Sequence, residues 1–66
     1  MVLRFNVTGM TCAACSARVE KVSSHVPGVQ KAEVNLLAGT MVVTAQEDVS
    51  AAVIQAVQHA GYNAAL

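Results

Sequence analysis

Val2-Leu3-Arg4-Phe5-Asn6-Val7-Thr8-Gly9-Met10-Thr11-Cys12-Ala13-Ala14-Cys15 is the stretch where one periodicity gives way to another. From Val2 to Thr8 apolar and polar residues alternate, with Leu3, Phe5 and Val7 on one side and Arg4, Asn6 and Thr8 on the other. A period of two marks a strand with one buried face. Gly9 ends it. A helix is then expected from about Ala13 to Ser24 or His25. Cys15, Val19, Val22 and Val26 recur there at helical spacing as one apolar stripe, while Arg18, Glu20 and Lys21 lie off it. Thr11 is the expected N-cap, since its hydroxyl can accept a backbone N–H two or three residues on. The junction between the two patterns holds both cysteines of the chain. Cys15 falls in the first helical turn, where free N–H groups and the positive end of the helix dipole favour a thiolate. A free thiol titrates at about 8.5, and such a position can lower that to roughly 3.5–7.5.

Outward from the junction the chain keeps alternating between the two patterns. Pro27-Gly28 stops the helix and turns the chain. Val29 to Leu36 is a second strand pattern, with Ala32, Val34 and Leu36 facing one way and Lys31, Glu33 and Asn35 the other. Ala38-Gly39 is a short connection, so Thr40 to Ala45 should return antiparallel with Met41, Val43 and Ala45 on the core. Gln46-Glu47-Asp48 is a polar turn. Ser50 is the expected N-cap of a second helix running to about Ala60, its buried face made by Val53, Ala56, Val57 and Ala60. Gly61 suits the left-handed position that ends a helix, and Tyr62 to Leu66 has room for a short last strand. The order β-α-β-β-α-β predicts an α+β, ferredoxin-like sandwich with two helices on one face of a four-stranded antiparallel sheet. Residues 1–66 are expected to form a single domain.

Composition narrows the function. A chain of 66 residues buries only about 60% of the surface its unfolded form exposes, and its wealth of Val and Ala suits a compact core of small side chains. Four basic and four acidic residues are scattered singly and cancel. No basic patch or aromatic row points to nucleic acid, and no acidic tract points to a disordered tail. No apolar run approaches the roughly 20 residues of a membrane span, and the amino terminus enters a strand pattern instead of a secretory signal. A cytoplasmic location is therefore expected, with no membrane contact by the domain itself. There, two nearby cysteines are more often metal-binding or redox-active than a structural disulfide.

Three chemistries compete for Cys12 and Cys15. Structural zinc needs four tetrahedral ligands, and His25 and His59 stand at spacings that fit no zinc finger. Thiol–disulfide exchange would suit the motif's place, but the element order is not thioredoxin-like and the lone proline, Pro27, sits in a turn. The third is a soft d¹⁰ ion held by two thiolates. Cu(I) prefers soft sulfur ligands and accepts low coordination. A third thiolate from another protein can then join before one of the first pair leaves, so tight binding coexists with fast exchange.

Several markers occur in order along the chain: Gly9-Met10-Thr11-Cys12-Ala13-Ala14-Cys15, Ser16-Ala17-Arg18-Val19-Glu20-Lys21, Pro27-Gly28-Val29, Val34-Asn35-Leu36 and Ala60-Gly61-Tyr62. Together they resemble the heavy-metal-associated domain family over essentially the whole sequence. The continuation after Cys15 and Val34-Asn35-Leu36-Leu37 look most like the N-terminal metal-binding domains of bacterial Cu(I)-transporting P-type ATPases. Free cytosolic copper chaperones and mercury-binding homologues share the pattern. The resemblance implies Cu(I) as the bound ion and Cys12 and Cys15 as its ligands. It implies that Gly9, Met10 and Thr11 form the supporting loop, with Met10 packed beneath it, and that Tyr62 shields and shapes it. A copper chaperone or a partner metal-binding domain is the implied partner, and exposed thiolates would also allow a metal-bridged dimer. Nothing in the chain hydrolyses ATP, so by itself it is not expected to be an enzyme. His25, His59, Glu47 and Asp48 read as solvated surface, and Arg18 and Lys21 as a solvated helix face that could offset charge at the site.

Overall fold

The computed structural model describes residues 1–66. The elements are β1 (Val2–Thr8), α1 (Ala13–Ser24), β2 (Val29–Asn35), β3 (Thr40–Ala45), α2 (Ser50–His59) and β4 (Asn63–Ala65). The four strands form one antiparallel sheet in the order β2-β3-β1-β4. This is the ferredoxin-like arrangement, with both helices covering one sheet face. Alternation decides which face: Phe5 and Val7 from β1, Ala32 from β2, Met41, Val43 and Ala45 from β3 and Ala64 from β4 are all buried. They form one cluster with Val19, Val26, Val53 and Val57. No helix is long and apolar enough to cross a membrane.

β1, β3 and α1 span the residues expected, while other element ends depart from the sequence reading, each for a local reason. β2 stops at Asn35 and not at Leu36, because Asn35 closes the turn twice. Its carbonyl accepts the Gly39 N–H at 2.9 Å, and its Oδ1 accepts the Ala38 N–H at 3.1 Å. Tyr62 belongs to the turn that ends α2, since its N–H donates to the Val57 carbonyl at 3.1 Å. Gly61, at φ +98°, makes the left-handed step before it. The N-caps also differ. Cys12, not Thr11, occupies the cap of α1, and Val49, not Ser50, that of α2; neither provides a side-chain acceptor. The Asp48 carboxylate does that work for α2, accepting the Ser50 N–H at 3.0 Å.

The helix stripes shift as well. On α1, Val22 is half-buried while Ser23 is wholly buried, and the Ser23 hydroxyl finds no hydrogen-bond partner. On α2, Val53 and Val57 are buried, Ala56 and Ala60 are half-buried, and Ile54 also packs against the core. Leu3 is half-buried at the sheet's rim.

Two further features bear on how the molecule meets others. β2 lies at one border of the sheet and carries an irregularity between Val29 and Lys31, followed by an ion pair between Lys31 and Glu33 at 2.6 Å. The other border, β4, is three residues long. Register also puts three connections at one end of the sheet. Asn6 pairs with Thr40 and Thr8 with Asn63. The loop after β1, the β2–β3 turn and the α2–β4 turn therefore emerge together.

Candidate metal centre

The loop after β1 turns at Gly9, whose φ of +92° is a conformation that L side chains rarely adopt. This turn lays the backbone against Tyr62, whose Cδ1 would be 3.5 Å from a Cβ at position 9. Met10 is half-buried and packs against the core, which anchors the loop from below. Thr11 and Cys12 are then exposed. The Cys12 carbonyl accepts the N–H groups of Cys15 at 3.0 Å and Ser16 at 3.2 Å, so the first helical turn starts from a cysteine. Cys12 is exposed, Cys15 is half-buried, and both thiols are free. One turn of helix brings their sulfurs to 3.4 Å of one another.

Electrostatics favour the charged form of Cys15, whose pKa is lowered to about 6. The Tyr62 hydroxyl is the largest cause, followed by the Thr11 backbone, the Cys12 thiol and the Thr11 hydroxyl. Of these, the Cys12 sulfur and the Thr11 Oγ1, at 3.8 Å, lie in hydrogen-bond geometry to the Cys15 sulfur. Cys15 reciprocally raises the pKa of Tyr62, and the Arg18 guanidinium on the next turn of α1 opposes that rise. Thr11 therefore acts on the thiol where the sequence suggested a helix cap, and Arg18 stands nearer the site than a plain solvated face implies. Its spacing of three residues from Cys15 was the available signal.

The remaining candidates stay apart from the thiols. His25 caps the far end of α1 and is exposed, as is His59 at the end of α2. No three His, Cys, Asp or Glu side chains converge anywhere in the chain. At this end Cys12 and Cys15 stand together as a pair of thiols. That suits a soft ion content with low coordination and leaves zinc two ligands short of its usual four.

Residues 4–63 match the heavy-metal-associated domain. The chain belongs to the heavy-metal-associated domain family. Among its relatives, the probable copper-importing P-type ATPase A of Enterococcus hirae is 44% identical over 62 residues, which cover 94% of this chain but 8% of that protein. The domain thus spans a small fraction of the relatives it matches. Among solved structures, the N-terminal domain of PacS from Synechocystis PCC6803 superposes with a TM-score of 0.92 at 34% identity, covering 98% of this chain and 94% of that one. The N-terminal domain of ZntA in its Zn(II) form gives 0.88 at 36% identity, covering 97% and 88%. The heavy-metal-associated domain is a small metal-binding fold and not a catalytic one, so the chain alone is not an enzyme. Heavy-metal binding and transfer is its function at the level of the family.

Proposed function

We propose that this domain binds Cu(I) through the thiolates of Cys12 and Cys15 and passes it on, as the cytoplasmic N-terminal domain of a copper-transporting P-type ATPase. The observation that carries the reading is the pair of sulfurs 3.4 Å apart on an exposed helix start, with no third donor beside them. The ion is cargo. On loading, it takes the place of the S–H···S contact, and the Cys12 proton leaves to solvent. Cys15, already biased toward thiolate, offers the first bond. A thiolate of a copper chaperone or partner metal-binding domain then adds to the two-coordinate ion, and one of the first pair departs. Thiolate enters and thiolate leaves, so charge balances and no redox step is needed. Gly9, Met10 and Thr11 hold the loop, and Tyr62 shields its inner side. A free cytosolic chaperone would use the same site, and the gene sequence flanking residues 1–66 separates the two settings.

The test is a Cu(I) titration of the reduced domain against a chromophoric Cu(I) chelator, with Zn(II) in parallel. One Cu(I) held tightly per chain and weak Zn(II) is the expected result. The likeness to the Zn(II)-form domain of ZntA makes zinc the informative competitor, and a preference for Zn(II) would overturn the copper reading. Cys12→Ser and Cys15→Ser should each abolish tight Cu(I) binding while the circular dichroism of the folded domain stays near wild type. Neither thiol belongs to the buried cluster.

A further inference from the structure

Two ions that compete for a pair of thiolates leave it with different charges. The thiolates bring two negative charges. Around Cu(I) they make a centre with one net negative charge. Around Zn(II), whose remaining positions neutral water can fill, they make a centre with none. A fixed charge close by therefore biases the choice between the ions without touching either of them.

Arg18 is the fixed positive charge nearest in sequence to either cysteine. It lies three residues beyond Cys15 on α1, a spacing that sets Cβ atoms about 5–6 Å apart on one side of a helix. The side chain is exposed. It enters no ion pair, since the only one in the chain joins Lys31 to Glu33. Nor does it donate to either sulfur, whose hydrogen-bond partners are each other and the Thr11 Oγ1. Its reach toward the site shows at Tyr62, where Cys15 and the Arg18 guanidinium push the hydroxyl's pKa in opposite directions.

The other lysine, arginine and carboxylate side chains are placed elsewhere. Arg4 pairs with Val42 and is exposed on the sheet face turned away from the helices, whereas its neighbour Phe5 is buried beneath them. Lys31 is held by Glu33, and Lys21 stands one turn further along α1. Among the acids, Glu20 lies roughly 200° around α1 from Arg18. Glu47 and Asp48 follow Ala45, which pairs with Val29 at the opposite end of the sheet. No carboxylate cancels Arg18 beside the thiols.

We propose that Arg18 is a specificity-determining residue, whose unpaired positive charge favours the anionic Cu(I) centre over the neutral Zn(II) centre. The inference rests on the Cu(I) reading above. Its size follows from Coulomb's law: one charge about 6 Å from another in water-like surroundings shifts an equilibrium about threefold. The advantage grows during transfer, because a third thiolate adds one more negative charge to the Cu(I) centre.

The experiment measures Cu(I) and Zn(II) affinities of the reduced 66-residue chain, each against a chelator of known affinity, at one pH and at about 20 and 500 mM NaCl. The ratio of the two affinities cancels the metal-free state and compares the two complexes directly. At low salt, Arg18→Gln should lower the Cu(I):Zn(II) ratio about threefold and Arg18→Glu about tenfold. Arg18→Lys, which keeps the charge, should keep the wild-type ratio, and so should Arg4→Gln on the far face. The losses should shrink at high salt, with circular dichroism unchanged throughout. A ratio in Arg18→Glu equal to that of wild type would overturn the proposal. So would a loss of the same size at both salts, or one shared by Arg18→Lys, since neither is the signature of a charge. A wild-type chain that holds Zn(II) more tightly than Cu(I) would instead overturn the functional reading, and this proposal with it.

Discussion

Cys15 draws its charge from neighbours contributed by three parts of the chain: Thr11 in the loop, Cys12 at the cap and Tyr62 after α2. Its native pKa lies below that of a free thiol, so the sign of the linkage is fixed. The thiolate's contribution to stability is fully present above the free-thiol value of roughly 8.5 and is lost as pH falls through about 6. The reduced, metal-free domain should therefore gain stability between these values. Urea midpoints measured across the window should rise for wild type, and much less for Cys15→Ser. The Cys15 Cβ resonance should titrate near 6 and move upward in Tyr62→Phe, which removes the largest cause of the shift. Ser23 poses the opposite problem. A hydroxyl wholly buried without a partner carries a desolvation cost of about 1–3 kcal/mol. Ser23→Ala should stabilise the domain by about 1 kcal/mol, read from urea unfolding. A serine among apolar residues reads as a gap in the stripe, and only packing shows that α1 turns Ser23 inward.

At the scale of elements, strands and helix spans were legible, and the residues that cap the helix starts were not. A period of two with glycine or proline at its limits fixes a strand almost to the residue, as for β1 and β3. Caps depend on one dihedral and one hydrogen bond, and several neighbouring residues compete for the role. Thr11 and Ser50 have the favoured side chains, yet the chain enters α1 through Cys12 and α2 through Val49. The reason for α2 lies one position earlier, where Asp48 reaches forward to the Ser50 N–H and so tolerates an apolar residue at the cap itself. That bond holds the Asp48 carboxyl below the usual carboxylate range. Its contribution is present at neutral pH and lost as pH falls through that range. Asp48→Ala should lower the melting temperature by a few degrees at neutral pH, as loss of a cap does, and by less in acid. The spacing of the two thiols was legible for the same reason as the strands, since three residues on a helix bring side chains to one face. The influence of Tyr62 on Cys15 could not be read from spacing, because 47 positions separate them and only the return of β4 beside β1 closes the gap.

For the molecule as a whole, the core is small and its parts are unequal. Phe5 and Met41 are the largest wholly buried side chains, and most of the rest are valines and alanines. A domain of 66 residues has a total stability of only about 3–10 kcal/mol at the usual value per residue. Met41→Ala, which leaves a cavity between sheet and helices, should cost about 2–5 kcal/mol. Much of the variant population should then unfold near body temperature, as differential scanning calorimetry would report by a broad, low transition.

The guarded borders of the sheet carry a last consequence. Strand-to-strand addition is open-ended, since each new border offers the next, and it is the route by which β-rich chains grow into fibrils. Here the irregularity and ion pair on β2 and the brevity of β4 deny that route at both sides.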